Sequence, residues 1–268
     1  MHQAASFSRP VLLGLVLLVA SAPLTACFDE ETHAAEHVHW SYEGDTGPSF
    51  WGSLDPGYAL CGTGTAQSPI DIPVATQAAP DPSFSTAWFE GPFTVTDNGH
   101  ALVVTPTTGG TTTFGATSWP LAQFHFHAPS EHTIGGVHFP LEIHFVHQNA
   151  AGHLAVLGVL VSEGAENAAM ARLAGALSST PPGARAVSTP TLAPSGLLPP
   201  TDPADARAMW VYDGSLTTPP CTEGVAWHVM QTLVTFSRAQ IDAVTAYHDG
   251  NRRPPQALGT RTIDVPAE

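Results

Sequence analysis

The sequence predicts a mainly β chain in which many short strands are joined by tight turns and accompanied by few helices. Val, Thr and aromatic residues are frequent, and these residue types favour half-buried, pleated strands. The 268 residues include 24 Gly and 25 Pro, which interrupt regular structure and mark turns. This length is enough for a sizeable core in one large domain or two small ones.

The folded part is predicted to begin near Trp40, in aromatic and Gly-rich sequence that suits an irregular segment packed on a core. The motif Gln67-Ser-Pro-Ile-Asp-Ile72 predicts a turn that leads into a short strand. Two strand-like runs, Phe93-Thr-Val-Thr96 and Ala101-Leu-Val-Val-Thr105, flank Asp97-Asn-Gly99. Asn-Gly between such runs is a strong hairpin signal.

The middle of the chain predicts a buried strand, a helix and a loop. Residues 154–161 are continuously apolar and predict a central strand. Residues 164–179 are Ala-rich with apolar residues at helical spacing, and they predict a helix that ends at Pro181. Residues 181–206, rich in Pro, Ala, Ser and Thr, are predicted to form a long ordered loop.

The last part of the chain predicts two more strands and a helix. Residues 225–230 and 233–236 have strand-like sequence. The motif Ser237-Arg-Ala-Gln240 has the capping-box pattern, which predicts a helix that runs to about Tyr247.

Two histidines lie two residues apart in the strand-like run Gln123-Phe-His-Phe-His127. Side chains at positions i and i+2 of a strand point to the same face, so the His125 and His127 imidazoles are expected to project together. Two neutral imidazoles on one face supply half of a tetrahedral zinc site. A pair of polar surface residues is the alternative, but the neighbouring Phe124 and Phe126 make a solvated surface a poor fit.

A second strand-like run, Pro140-Leu-Glu-Ile-His-Phe-Val-His147, offers a third ligand. If the two runs pair antiparallel through a loop at Gly135-Gly136, His144 joins the first two histidines. Three histidines and no fourth protein ligand leave one position for water, which is the arrangement of a catalytic zinc site. Glu142 lies two residues before His144 on the same strand face and can accept a hydrogen bond from a ligand imidazole.

The charge balance of the chain is strongly acidic. There is no Lys, and 8 Arg face 23 acidic residues, for a net charge of −15. This balance argues against a basic patch that binds nucleic acid or an anionic membrane surface. Solubility is the simplest role for such acidity.

Residues 1–26 are predicted to form a signal peptide. Arg9 precedes an apolar run over residues 11–22, which is too short to span a bilayer. Leu24-Thr-Ala-Cys27 then resembles a bacterial lipobox, which predicts cleavage before Cys27 and a lipid anchor on its sulfur. An ordinary signal peptide cleaved near Ala26 is the alternative.

Residues 27–38 are acidic and lack periodicity, so they are predicted to form a flexible tether before a catalytic domain over residues 39–268. Phe28 rather than Asp follows Cys27, so the usual inner-membrane retention signal is absent. The chain is therefore expected to be an exported bacterial protein of the periplasm or cell envelope.

Cysteine usage agrees with export. Of the 3 Cys, lipidation of Cys27 would leave Cys61 and Cys221. An even pair in an exported protein most simply forms one disulfide. Two free thiols or two thiol ligands for a metal are the alternatives.

Six short motifs occur in a consistent order and spacing. They are Gln67-Ser-Pro-Ile-Asp-Ile72, Asn98-Gly-His100, Gln123-Phe-His-Phe-His127, Ser130-Glu-His132, Glu142-Ile-His144 and Ser215-Leu-Thr-Thr-Pro-Pro220. Together they resemble one family closely, the α-class carbonic anhydrases, and in particular the exported bacterial members. The resemblance covers roughly residues 39–263. It implies a single domain built on a large, mostly antiparallel, twisted sheet with short peripheral helices.

The resemblance also implies roles for individual residues. His125, His127 and His144 match the zinc ligands. Gln123 and Glu142 match the groups that hold ligand imidazoles by hydrogen bonds. The remaining matches are Thr217 with Glu131, which orient zinc-bound hydroxide; His100, the proton shuttle; Val146, Val156, Leu216, Val225 and Trp227, the apolar carbon dioxide pocket; Thr218, a contact for bicarbonate or inhibitors; and Cys61 with Cys221, the family's disulfide.

These matches imply zinc-dependent, reversible hydration of carbon dioxide to bicarbonate and a proton, by attack of zinc-bound hydroxide. Sulfonamides and anions are the implied inhibitors. An ionised Glu131 can only accept, so Thr217 must donate to it, and the Thr217 oxygen is left to accept from hydroxide. His100, with an ordinary pKa of ~6.5, suits transfer of the product proton to buffer.

A catalytically silent binding module at the cell envelope is the competing hypothesis. Silent relatives of this family lack one or more zinc histidines, whereas all three are present here. A third hypothesis is an exported zinc-binding protein whose His-containing tail matters more than its site. Asp97 stands where the family often has Asn, beside the shuttle turn, and His132 is predicted to be a structural partner of Tyr212.

Overall fold

Short strands and short helices make up the structure, a computed structural model that describes residues 38–177, 185–202 and 207–266. The strands are β1 (Asp71–Ile72), β2 (Ala79–Pro80), β3 (Ser85–Trp88), β4 (Gly91–Asp97), β5 (Leu102–Pro106), β6 (Gly110–Phe114), β7 (Thr117–His127), β8 (Thr133–Ile134), β9 (Leu141–Gln148), β10 (Leu154–Glu163), β11 (Arg185–Leu192), β12 (Ala208–Ser215) and β13 (Glu223–Phe236). The α-helices are α1 (Trp51–Leu54), α2 (Leu60–Thr63), α3 (Ala168–Leu177) and α4 (Arg238–Thr245), and short 3₁₀ helices lie at Gly44–Thr46, Pro56–Tyr58 and Pro194–Leu197.

The predicted signal peptide, the lipobox residue Cys27 and the tether up to residue 37 lie outside the described residues. The described residues belong to one unit, Val38–Glu268. Within these described ranges, no helix combines the length and the apolar character needed to cross a membrane.

One large sheet organises the described part of the chain. Its strands run in the order β11-β4-β5-β7-β9-β10-β13-β12-β2, and β6 and β3 extend it beside β7. The pairing of β10 with β13 is parallel. The other described pairings of the large sheet are antiparallel. The predicted fold class, a mainly β chain with a large, mostly antiparallel sheet and short helices, is confirmed.

The two faces of the sheet separate the larger core from the histidines. On β7, Phe124 and Phe126 are buried in a large apolar cluster. Side chains from α3 and α4, including Met170 and Ile241, pack into the same cluster and cover that face. Because side chains alternate along a strand, His125 lies on the opposite face. Burial of each Phe stabilises the fold by roughly 1.5–3 kcal/mol, so this cluster holds β7 in register.

The hairpin between β4 and β5 presents His100 at its turn. Asn98 Oδ1 accepts hydrogen bonds from the backbone N–H groups of His100 at 2.9 Å and Ala101 at 2.8 Å. Gly99 has φ +84°, a left-handed conformation that glycine adopts without a steric cost. The Asn-Gly prediction is therefore correct, and its turn geometry fixes the backbone that carries His100.

The predicted long loop over residues 181–206 is wrong in part. Strand β11 forms there and pairs antiparallel with β4, and a 3₁₀ helix follows at Pro194–Leu197. The Pro-rich composition concealed this strand. Its place at the end of the sheet fits this composition, since an edge strand pairs on one side only and needs fewer of its N–H groups.

Other elements differ in their bounds. The predicted strands over residues 225–230 and 233–236 are one continuous strand, β13. The predicted helix over residues 164–179 begins later than expected, since α3 starts at Ala168, and its predicted end after Leu177 lies outside the described residues. The capping box at Ser237 is present, with reciprocal hydrogen bonds to Gln240, and it begins α4 as predicted.

Candidate metal centre

The candidate centre is built on the neighbouring strands β7 and β9, which pair antiparallel as the sequence predicted. In this register His125 lies opposite His144, and His127 lies opposite Glu142. One nitrogen from each of the three histidines lies within 4.8 Å of the others. The three imidazoles therefore converge on one point of the sheet face.

A hydrogen bond to an oxygen fixes the outer nitrogen of each imidazole. The three contacts are His125 Nδ1 with Gln123 Oε1 at 2.9 Å, His127 Nδ1 with the Asn251 carbonyl at 2.7 Å, and His144 Nε2 with Glu142 Oε1 at 2.8 Å. These oxygens accept hydrogen bonds, so each outer nitrogen carries the ring proton and acts as the donor. The inner nitrogen of each neutral ring then carries a lone pair, which is the form that binds a metal.

The inner nitrogens are suited to binding a cation rather than to hydrogen bonding within the protein. His127 Nε2 is buried and has no hydrogen-bond partner among the described residues. Burial lowers the pKa of His127 to about 4 and holds the pKa of His125 well below its ordinary value, so both rings stay neutral. Three neutral nitrogen donors on one face suit zinc.

Glu142 holds two histidines at once. Its Oε1 accepts from His132 Nδ1 at 2.7 Å and from His144 Nε2 at 2.8 Å, while Oε2 accepts from the backbone N–H groups of Glu131 and His132. Burial raises the pKa of Glu142, but His132 and His144 outweigh it and hold that pKa well below the usual range. His132, Glu142 and His144 also lie within ligand distance of one another, but these hydrogen bonds already use their facing atoms.

The predicted contact between His132 and Tyr212 is present. His132 Nε2 lies 2.6 Å from the Tyr212 hydroxyl, which lies 2.9 Å from Ser68 Oγ. With the neutral tautomer that donates from Nδ1 to Glu142, His132 Nε2 accepts from Tyr212. This chain of hydrogen bonds fixes Glu142 from the side away from the three imidazoles.

Glu131 lies beside the convergence point. Its Oε1 accepts from the Arg253 backbone N–H at 2.8 Å, and its Oε2 lies 3.5 Å from His127 Nε2 and 3.9 Å from His144 Nδ1. Burial raises the pKa of Glu131 to about 7. A cation held by the neighbouring imidazoles would lower it again and favour the carboxylate.

Thr217 is the predicted partner of Glu131. The Thr217 hydroxyl acts against the effect of burial and lowers the pKa of Glu131. Among the described residues, Glu131 Oε2 has no hydrogen-bond partner, so the donation from Thr217 to Glu131 stays a prediction.

A cavity of about 140 Å³ joins His100 to the candidate centre. His100, His125, His127 and Thr218 line it together with Trp40. The His100 ring stacks on Trp40 at a centroid distance of 3.6 Å. Burial, followed by the charges of other histidines, lowers the pKa of His100.

A larger surface cavity of about 410 Å³ lies beside Tyr42 and Arg252. None of the three converging histidines lines it. The smaller cavity is therefore the candidate reaction space.

The predicted apolar pocket is one cluster beside His144. Val156, Val225 and Trp227 are buried in it, and Val146 and Leu216 pack against it. The Trp227 ring lies 4.9 Å from the His144 ring, centroid to centroid. The sheet thus places an apolar wall next to the polar centre.

Cys61 and Cys221 form the predicted disulfide, across a sequence separation of 160 residues. Gln67 Nε2 donates to the Cys221 carbonyl at 3.1 Å. The bridge therefore holds the segment that runs from Thr217 to Cys221 against the rest of the site.

Sequence reasoning missed the segment over residues 248–253. Its Asn251 holds the His127 ring, and its Arg253 backbone N–H holds Glu131. The Arg253 guanidinium is buried and donates to Gln67 Oε1 and to the Cys61 carbonyl. These contacts join residues that are far apart along the chain, so no local spacing pattern signals them.

Comparisons with known proteins show the family to which this chain belongs. A family model described as eukaryotic-type carbonic anhydrase matches residues 46–265. A protein named carbonic anhydrase from Pectobacterium atrosepticum is 41% identical over 241 residues, which cover 90% of this chain and 95% of that protein. A protein of the same name from Neisseria gonorrhoeae is 36% identical over 263 residues, covering 95% and 96% of the two chains. Among solved structures, α-carbonic anhydrase from Thermovibrio ammonificans in complex with the inhibitor sulfanilamide matches with a TM-score of 0.75 and 39% identity, covering 84% of this chain and 98% of that chain.

Proposed function

Because the chain belongs to the eukaryotic-type carbonic anhydrase family, we propose that it uses a zinc ion to hydrate carbon dioxide reversibly to bicarbonate and a proton. One observation carries the zinc assignment. The three inner imidazole nitrogens converge within 4.8 Å, and each outer nitrogen is committed to an oxygen acceptor. The residues that would hold the ion are His125, His127 and His144.

Zinc in a three-histidine site supplies Lewis acidity that lowers the pKa of a coordinated water to about 7, the established behaviour of carbonic anhydrase. The protein's contribution is to keep the three rings neutral and fixed in orientation. Gln123, Glu142 and the Asn251 carbonyl do this through the hydrogen bonds to the outer nitrogens. Such outer partners raise the basicity of the ligand nitrogens.

Thr217 and Glu131 orient the attacking group. An ionised Glu131 accepts from the Thr217 hydroxyl, so the Thr217 oxygen accepts the proton of the attacking hydroxyl group. This direction of donation aligns the lone pair of that group with carbon dioxide. The apolar wall of Val156, Val225 and Trp227 offers carbon dioxide a dry contact surface beside His144. Thr218, which lines the same cavity as the ligands, is positioned to contact bicarbonate or an inhibitor.

His100 takes up the product proton and passes it to buffer. Its ring lines the cavity next to His125 and His127, and its turn lies at the end of a hairpin. A histidine suits this step because its proton affinity lies close to neutral pH.

Stopped-flow hydration of carbon dioxide by the zinc-loaded protein tests the proposal. We expect fast hydration that an aromatic sulfonamide blocks, and loss of both zinc and activity in His144→Ala. His153→Ala, in an exposed turn, is the matched control and should retain both. A folded, zinc-bound protein without hydration activity would reject the enzyme in favour of a silent binding module at the cell envelope.

We also propose export of the chain, with removal of residues 1–26, lipidation of Cys27 and a tether that reaches the catalytic domain at residue 39. The Cys61–Cys221 disulfide supports an oxidising compartment such as the periplasm. Mass spectrometry of the mature N-terminus distinguishes a diacylglycerol-modified Cys27 from an unmodified terminus near Ala26. A purified protein that still begins at residue 1 would reject both forms of processing.

A further inference from the structure

A carboxylate and an imidazole lie in contact beneath the turn that presents His100. Asp97, the last residue of β4, is 7% exposed. Its Oδ1 lies 2.8 Å from Nε2 of His248, in the segment that follows α4. The ionised carboxylate can only accept, so His248 Nε2 donates to it.

The same carboxylate oxygen also holds the turn. Asp97 Oδ1 accepts from the Gly99 backbone N–H at 2.9 Å. On the other side, Asn251 Nδ2 donates to the His100 carbonyl at 3.0 Å. Residues 248–251 therefore contact the His100 turn at two points, one of which carries titratable charge.

We propose that Asp97 and His248 are a positioning pair that sets both the proton affinity and the placement of His100 during proton transfer. This inference rests on the proposed function, because it assigns His100 to proton release. Neither residue lines the cavity with the ligands, so the pair acts through His100 rather than on the substrate.

Three charged or titratable groups act on His100. After burial, His39 and then His248 lower the pKa of His100, and Asp97 raises it. Burial, and after it the Asp97 charge, raises the pKa of Tyr247. His100 therefore responds to the balance between the two members of the pair.

Two conservative variants change that balance in opposite directions. Asp97→Asn keeps an oxygen that accepts from Gly99 and His248 but removes the negative charge, so the pKa of His100 should fall. His248→Gln keeps an N–H donor for Asp97 but removes the imidazole that lowers the pKa of His100, so that pKa should rise. Each shift should be roughly 0.3–1 unit, the size that one charge produces through a partly solvated environment.

Histidine titration by NMR in the purified protein, with and without zinc, measures these shifts directly. Asp202→Asn and His153→Gln, both at exposed positions, are matched controls and should leave the His100 midpoint unchanged. Opposite shifts in the two test variants, with unchanged chemical shifts elsewhere, support the pair. An unchanged His100 midpoint in both, or shifts of the same sign, would overturn it.

Kinetics then test the role in proton transfer. The pH profile of kcat, which includes proton release, should move in opposite directions in the two variants. The kcat/KM for carbon dioxide does not include proton release, so it should stay within about twofold of the wild-type value. Equal losses of kcat and kcat/KM would indicate a purely structural role. A wild-type protein that shows the NMR coupling but no hydration would reject the proposed function while leaving the electrostatic pair in place.

Discussion

Asn251 joins His127, a proposed metal ligand, to the turn that carries His100, through its backbone and its side chain. Its Oδ1 accepts from the Ala128 N–H at 2.8 Å, and its Nδ2 donates to the carbonyls of His100 and Phe126 at 3.0 and 3.1 Å. Its own carbonyl accepts from His127 Nδ1 at 2.7 Å. A single buried amide thus keeps several backbone groups paired.

We expect Asn251→Ala to destabilise the protein by about 2–5 kcal/mol, because it leaves buried polar groups without partners. Zinc affinity should also fall roughly 10–100-fold, since the backbone around His127 loses its anchor. Urea unfolding and chelator competition measure the two effects. Asn149→Ala, in the exposed turn between β9 and β10, is the control. Equal losses in both variants would contradict the assignment.

Thr217 is expected to act through its hydroxyl alone. Thr217→Val keeps the shape of the side chain but removes the donor to Glu131, so carbon dioxide hydration should fall by about 10²-fold. Zinc content should remain unchanged, because Thr217 is not a ligand. Thr217→Ser restores the hydroxyl and should recover most of the activity. If the Val and Ser variants were equally active in stopped-flow assays, the orienting role would be wrong.

The convergence of the three histidines was predictable from the sequence because a strand imposes a period of two. That rule places His125 with His127 on one face and Glu142 with His144 on another strand. It has no counterpart for Asn251 or Arg253, whose partners are more than a hundred residues away in the chain. Only the folded backbone brings those groups together.

Two strands carry buried histidines outside the candidate centre. On β9, His147 Nε2 forms a hydrogen bond with Thr112 Oγ1 at 2.8 Å. On β13, the His228 ring stacks on the Phe114 ring at a centroid distance of 3.7 Å. Burial lowers the pKa of each to about 4. Both are therefore neutral in the folded protein at neutral pH.

These histidines predict acid sensitivity of the sheet. In the unfolded chain their pKa is near ~6.5, so below that pH the unfolded state binds more protons than the folded state. The contribution of these histidines to the free energy of unfolding is fully present above pH ~6.5. It falls as the pH drops toward 4, by roughly 3 kcal/mol for each histidine. Urea unfolding across this range should show a smaller loss in His228→Gln than in wild type. His153→Gln should match wild type, and an unchanged pH dependence in His228→Gln would contradict the prediction.

Elements with local signals were predictable, and those that depend on a neighbour were not. The Asn98-Gly99 turn and the Ser237 capping box each satisfy their own backbone groups within a few residues. Strand β11 exists because the edge of β4 is available for pairing. Its Pro-rich sequence has no strand pattern of its own.

The disulfide joins Cys61, in α2, to Cys221, at the end of the segment that begins at Thr217. Because Cys221 closes the segment that begins at Thr217, loss of the bridge should affect both stability and catalysis. We expect Cys61→Ser to lower the free energy of unfolding by about 2–4 kcal/mol and to reduce hydration activity, with the three zinc ligands intact. Thermal unfolding with and without a reductant measures the first effect. A reduced protein with wild-type stability and activity would contradict this role.

The parallel pairing of β10 with β13 in the large sheet bears on the order in which the protein assembles. His125 meets His144 through a short antiparallel connection, whereas Ala155 on β10 meets Ala226 on β13 only after all of the intervening chain has been made. Contacts between distant residues form later, because the entropy of closing the loop must be overcome first. On the ribosome or during export, we therefore expect the three imidazoles to come together before Thr217 reaches them. If the proposed zinc site is correct, the nascent chain would bind the ion first, and the site would become complete only when the last strands have formed.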